Sequence, residues 1–303
     1  MAIVAERPVT PAPSPTLRDA GLAALAPASW GTVYVVTATL LPPDRPLLAA
    51  VLRALPAGLL LLALTRRLPR GAWWWKTAVL GMLNFGAFLP LIFYAAYHLP
   101  GGVAATLGAL QPLMVALLAL PVLRVRTPAP VLFAAIAGAG GVALLTLSAE
   151  ARLDPLGLAA MLGAVGLVAV AIVLAKKWGR PEYPLAMTGW QLTMGGLVLA
   201  PATLLFEGLP DSLTTANLLG YAYIGIVTTA LAYPLWFRGI DRLAPASLSL
   251  LTLTNPLIAT AAGFLVLGQT LTGWQLTGFA VALTALTLSQ TLTAVRAGAR
   301  RVR

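Results

Sequence analysis

Ten apolar stretches, each about 20 residues or longer, follow one another along this chain with only short polar connections between them. At a rise of 1.5 Å per residue, such a stretch crosses a hydrocarbon core roughly 30 Å thick. Lipid offers no partner for backbone N–H and C=O groups, so stretches of this kind fold as helices. The alternating pattern of membrane β-strands is absent. The expected spans are 17–39, 46–66, 73–97, 101–122, 128–148, 155–176, 183–206, 215–238, 245–267 and 272–293. Only 10% of the residues are charged, against about 25% in soluble proteins, which excludes a water-soluble globule. The fold class is therefore an all-α integral membrane protein.

The ten spans read as two copies of a five-span unit. Residues 84–116 lie on residues 228–260 with a constant shift of 144 and no gap, and seven of those 33 positions are identical. Pro90 falls on Pro234, Leu91 on Leu235, Phe93 on Phe237, Leu99 on Leu243, Leu107 on Leu251, Pro112 on Pro256 and Leu113 on Leu257. Three further stretches agree in the same order: 21–25 with 157–161, 46–53 with 184–191, and Gly138 with Gly278. An odd number of spans per copy forces the second copy to enter the membrane inverted. That plan belongs to secondary transporters, which hold their substrate near mid-bilayer between the copies. The chain divides into a disordered tail (1–16), a first copy (17–148), a second copy (155–293) and a basic tail (294–303).

Of the 20 Lys and Arg residues, 17 fall on one side of the alternating spans, Arg45 and Arg152 on the other, and Arg53 within a span. The excess marks the cytoplasmic side and predicts that both termini lie there. It also accounts for the net charge of +11 without a nucleic-acid partner. Met1–Pro15 lacks the apolar core and cleavage site of a signal peptide. With no Cys and one His, disulfides and cysteine-bound metals are excluded, and no metal or cofactor is expected. Neither HExxH nor an intramembrane pair of acids is present. Asp and Glu fall in loops, in the tail or at span ends, so the carboxylate relay of many proton-coupled carriers is missing. That favours facilitated diffusion, or coupling through an unusual group such as His98. Six Trp residues (Trp73, Trp74, Trp75, Trp178, Trp236 and Trp274) sit at expected span ends as interfacial anchors, whereas Trp30 and Trp190 lie deeper.

The candidate binding residues follow from depth. Gln111 and Asn255 occupy the middles of spans four and nine, pair under the 144 shift, and each precedes a proline. A mid-bilayer carboxamide either binds a ligand or links helices. Pro90 and Pro234, paired in spans three and eight, are candidate gating hinges or sources of static curvature. Span three adds Asn84, Phe88, Tyr94 and His98 near one stripe; Trp30, Tyr34, Trp190, Gln191 and Tyr233 complete an aromatic and carboxamide set. Thr228 and Trp236 of span eight belong near it. Such a lining suits an amphipathic organic molecule rather than a bare ion. Arg53, about 10 Å below the outer end of span two, reads either as an anchor for a substrate carboxylate or as a side chain snorkelling outward. The small residues Gly101, Gly102, Ala104, Ala105, Gly108 and Ala109 allow close helix approach in span four, within one chain or between chains alike, so they fix no oligomeric state.

Ten spans in two inverted copies, Trp30-Gly31, Arg53-Ala54, Gln111-Pro112 and Asn255-Pro256 together resemble the drug/metabolite transporter superfamily, and most closely its EamA-type bacterial exporters. The resemblance covers about residues 17–293. It implies that spans one, three, four, six, eight and nine surround a central cavity and that spans five and ten lie outside. It further implies export of small organic metabolites across the inner membrane, with amino acids, including aromatic ones, as the leading class. Sugars and cationic drugs are alternatives in the same fold, and a membrane sensor or scaffold is the alternative outside it. The chain departs from internal symmetry in span six, where Gly166 stands in place of Trp30.

Overall fold

The computed structural model describes residues 16–42, 45–98, 107–146, 154–179, 183–210, 212–267 and 272–299. The expected disordered start, the first turn and a half of span four with its small residues Gly101–Ala105, and the last four residues lie outside them. All regular structure among the described residues is helical. The spans are Leu17–Leu40, Pro46–Thr65, Trp73–Gly81 continued by Phe88–His98, Gln111–Leu123, Ala129–Thr146, Pro155–Trp178, Pro184–Phe206, Thr215–Gly225 continued by Ala232–Arg242, Pro245–Leu250 continued by Thr254–Leu267, and Gly273–Ala299. Six helices among the described residues are long and apolar enough to cross a membrane, and four shorter apolar ones complete the ten. Two expected boundaries move. Span eight runs on to Arg242, and span ten to Ala299, so that part of the expected basic tail is helix.

The packing repeats itself. Span one packs against spans eight and nine; its counterpart, span six, packs against spans three and four. Span two pairs with span seven and span five with span ten. Exchanging one copy for the other maps this set of neighbours onto itself, as two inverted repeats require. Spans five and ten pair on one side of the bundle against spans four and nine, and their outer sides leave Phe133, Ile136 and Leu283 exposed.

Glycines set the closest crossings. A Cβ on Gly58 of span two would fall 2.6 Å from the backbone N of Thr193 in span seven, and one on Gly81 of span three 2.7 Å from the carbonyl of Gln191. Span seven is thus gripped between two neighbours at backbone distance. A Cβ on Gly31 of span one would fall 2.6 Å from the carbonyl of Asn255. Apolar side chains gain nothing by leaving lipid, so contact of this intimacy is the main source of cohesion between helices.

Spans three and eight are not simply kinked at their prolines. Each contains a π-turn upstream: Met82–Gly86 before Pro90, and Ile226–Leu231 before Pro234. The 144 shift carries the first onto the second. A proline ring strikes the carbonyl four residues back, here that of Gly86 or Ala230, and each of these lies in its π-turn. The widened turn moves that carbonyl aside. In span three, Ala87 N–H reaches back five residues to Met82 O at 2.7 Å. Spans four and nine are also interrupted at matched places. Span four turns at 109–110 before Gln111-Pro112, and span nine has a 3-10 segment, Leu251–Leu253, before Asn255-Pro256.

Polar groups tie the helix ends. On the face where span one begins and span eight ends, Thr16 and Asp19 form a capping box for span one, and Asp19 Oδ1 accepts from Arg238 Nη2 of span eight at 2.6 Å. Lys176, ending span six, donates its Nζ protons to the carbonyls of Ile240, Asp241 and Leu243 at 2.8, 2.8 and 3.1 Å. On the opposite face, the Glu207 carboxylate accepts from Leu47 and Leu48 N–H at 2.6 and 2.8 Å, while Arg45 Nη1 donates to the carbonyls of Glu207 and Gly208. An ammonium at a helix C-terminus meets both unpaired carbonyls and the negative end of the dipole. Lys176→Met is therefore expected to lower stability by about 2 kcal/mol. Thermal unfolding followed by tryptophan fluorescence checks this, and an unchanged midpoint would remove the capping role.

Candidate functional site

The wide turn of span eight organises the middle of the molecule. Ala232 N–H bonds to Thr229 O rather than to Thr228 O, and the Trp30 indole Nε1–H donates to the Thr228 carbonyl at 2.9 Å. The hydroxyls of Thr228 and Thr229 both donate to Ile224 O, at 2.8 and 2.7 Å. Beyond the turn, Tyr233 and Trp236 face back onto Trp30, with ring centroids 5.1 and 5.4 Å away. Phe85 of span three meets Tyr233 edge-on at 4.8 Å. Tilted and edge-to-face pairs suit the ring quadrupoles and contribute about 0.5–1.5 kcal/mol each beyond burial. One aromatic cluster therefore joins spans one, three and eight.

Arg53 enters the same neighbourhood from span two. Its Nε donates to Thr229 Oγ1 at 3.1 Å, and it is half-buried. A Cβ on Gly225 of span eight would fall 3.6 Å from the carbonyl of Leu52, the residue before Arg53, so these two positions are level; Thr229 lies four residues, about one turn, further in along span eight. The bond to Thr229 thus leans the Arg53 side chain toward mid-span.

Beside Phe85, Asn84 Nδ2 donates to Gln191 Oε1 at 2.9 Å. Gln191 is fully buried, and its Nε2 has no hydrogen-bond partner among the described residues. The same holds for Gln111 Nε2 and Thr254 Oγ1. Thr77 Oγ1, Thr193 Oγ1, Tyr221 Oη and Arg238 Nη1 share this state elsewhere among the described residues, so the lack of a partner alone does not single out a site. Among the described residues no group of three or more His, Cys, Asp or Glu side chains could hold a metal ion.

The EamA-like transporter family model matches residues 19–147 and again 155–291. The chain belongs to this family. Each match covers one of the two five-span copies. Protein PecM of Dickeya dadantii (strain 3937) is 47% identical over 267 residues, covering 88% of this chain and 90% of that one. The threonine/homoserine exporter RhtA of Salmonella typhimurium is 29% identical over 214 residues, covering 70% of this chain and 69% of the other. A crystal structure superposes with a TM-score of 0.77 at 20% identity, covering 91% of this chain and 98% of that one; it speaks for the fold alone. This is a membrane transporter of the EamA-like family, with a small molecule as its substrate and lipid as its surroundings.

Within this EamA-like chain, the expected site residues part company. Trp30, Arg53 and Tyr233 come together; Asn84 and Gln191 form a pair next to them; Phe88 is half-buried against the same core. Gln111 and Asn255 are half-buried at their helix restarts, and among the described residues neither side chain hydrogen-bonds to the aromatic cluster. Trp190 does not join. Its ring is 4% exposed and its Nε1–H donates at 2.7 Å to Arg67 O in the loop after span two, so it braces that loop instead of facing the centre. Tyr94 is exposed. The side chains of Tyr34 and His98 lie outside the described residues. Pro90 and Pro234 sit just beyond the π-turns. Trp236, expected at an interface, is 4% exposed inside the cluster, because span eight continues past it to Arg242. Phe85 and Thr229 were not among the expected residues; the shift that aligns Asn84 with Thr228 also aligns Phe85 with Thr229, and this was the available signal.

Proposed function

We propose that this transporter is an alternating-access secondary carrier that exports small organic metabolites, amino acids foremost, across the bacterial inner membrane. The observation that carries the reading is the aromatic and carboxamide cluster at the matched helix interruptions between two inverted copies. Helices broken at mid-membrane are where carriers of this plan bind substrate. Trp30 and Phe88, both half-buried, offer ring surface to an apolar side chain, and the buried Tyr233 backs Trp30. Asn84 and Gln191 offer hydrogen bonds beside them, and Gln111 and Asn255 offer carboxamides from the paired spans four and nine. The π-turns below Pro90 and Pro234 are the bending points of the two gates. Both termini are cytoplasmic, following the 17 basic residues on that side. The name of the threonine/homoserine exporter relative supports the amino-acid class and the outward direction.

The test is uptake of radiolabelled amino acids into proteoliposomes holding the purified full chain, with and without unlabelled substrate inside. Saturable uptake that accelerates on preloading is expected, since counterflow needs a carrier rather than a channel. A flat response across the amino acids sends the substrate to sugars or cationic drugs. Failure of those as well turns the reading toward a sensor or scaffold.

A further inference from the structure

We infer that Arg53 receives the carboxylate of the transported molecule, so that the substrate class is a carboxylate joined to an apolar or aromatic body. This rests on the carrier reading in one respect: a small organic molecule must reach mid-membrane.

A guanidinium does not release its proton in a protein. Held about 10 Å below the membrane face, it requires an anion or water. The acids among the described residues are Asp19, Asp154, Glu207 and Asp241, and each stands at a span end with its own work. Asp19 pairs with Arg238, and Asp154 caps span six. Glu207 caps span two, and Asp241 lies beside Lys176. None of them neutralises Arg53.

The geometry aims the group. Thr229 Oγ1 gives its own proton to Ile224 O, so toward Arg53 it acts as an acceptor and takes the Nε–H. That leaves the two terminal nitrogens, whose parallel N–H bonds match the two oxygens of a carboxylate. The preceding residue, Thr228, holds Trp30, and one turn further on stands Tyr233. A molecule whose carboxylate lies on Arg53 therefore meets the half-buried Trp30 ring, backed by Tyr233, with its remaining bulk.

The experiment uses matched probe pairs on the purified full chain: L-phenylalanine against L-phenylalaninamide, and 3-phenylpropionate against its amide. Binding is read by thermal unfolding, and competition by proteoliposome uptake. The acids are expected to bind roughly 10- to 100-fold more tightly than the amides, the difference made by hydrogen bonds to a charged group. R53Q is expected to erase that ratio and R53K to retain part of it. T229A keeps the charge but frees the fork, and reduces the ratio by a few-fold; with R53K it carries the test if R53Q does not fold. Equal binding of acids and amides, no shift with either acid, or an acid preference that survives in R53Q or R53K unchanged overturns the inference. Acid-selective binding without transport sinks the carrier reading alone. Transport indifferent to the carboxylate sinks the role of Arg53 alone.

Discussion

Gly58→Val is expected to leave little folded protein in the membrane. The Gly58 backbone lies so close to span seven that any β-carbon meets the Thr193 backbone N at 2.6 Å and its hydroxyl at the same distance. Neither is the free end of a flexible side chain, so the helices themselves must separate. On its other side span seven is already held by Gly81, and Gly195 presses on Phe85, so the displacement has nowhere to go. Overpacking of this kind costs about 3 kcal/mol or more, because the dispersion contacts along both interfaces are loosened together. Gly140→Ala is the control: a Cβ there meets nothing within 4 Å, and the midpoint is expected to stay or rise slightly. Tryptophan-detected unfolding of detergent-purified protein measures both. A Gly58→Val variant that melts with the wild type would show that the two spans are not bound by this crossing.

Trp30→Ala is expected to slow counterflow by about tenfold or more and to lower stability by about 3 kcal/mol. The ring touches Tyr233 and Trp236, and its N–H fills the Thr228 carbonyl, so the alanine removes an aromatic surface and a hydrogen bond together. Trp30→Phe separates the two. It keeps a ring against Tyr233 and leaves the Thr228 carbonyl without its donor, at a cost of about 1–2 kcal/mol. If the ring receives the substrate, the phenylalanine variant retains most of the transport while melting earlier. Wild-type counterflow in Trp30→Ala would take the cluster out of the transport path.

The spans were legible in the sequence because hydrophobic length is a local property. Pro46, Pro155 and Pro245 open helices where a missing N–H does no harm, and all three starts were expected. The two copies were legible because Pro90 and Pro234 keep a gapless register. What stayed hidden depends on partners far along the chain. Trp190 and Trp30 both lie inside their spans rather than at the ends, yet one indole bonds to Arg67, 123 residues away, and the other to Thr228, 198 residues away. Residue count places each along its helix but not the distant carbonyl that it meets. Arg53 left two readings open because a side chain's direction is set by what it meets, here Thr229 of another span. A proline announces a disturbance in its helix, but whether the helix bends or widens depends on who takes the freed carbonyl.

The widened turns have a further effect on which way the helices look. A π-turn holds one surplus residue, and one residue is about 100° of rotation. Everything after Leu231 is therefore out of phase with everything before Ile226, as if span eight had been cut and twisted by a quarter turn. Tyr233 and Trp236 look at Trp30 because of that offset. A wheel drawn through an unbroken helix from Thr215 would aim them elsewhere. Span three has the same offset after Gly86, which is why a stripe joining Asn84 to Tyr94 in the sequence does not stay on one face: Asn84 bonds inward to Gln191 while Tyr94 is exposed. Each copy thus presents two differently oriented half-helices on a single continuous rod.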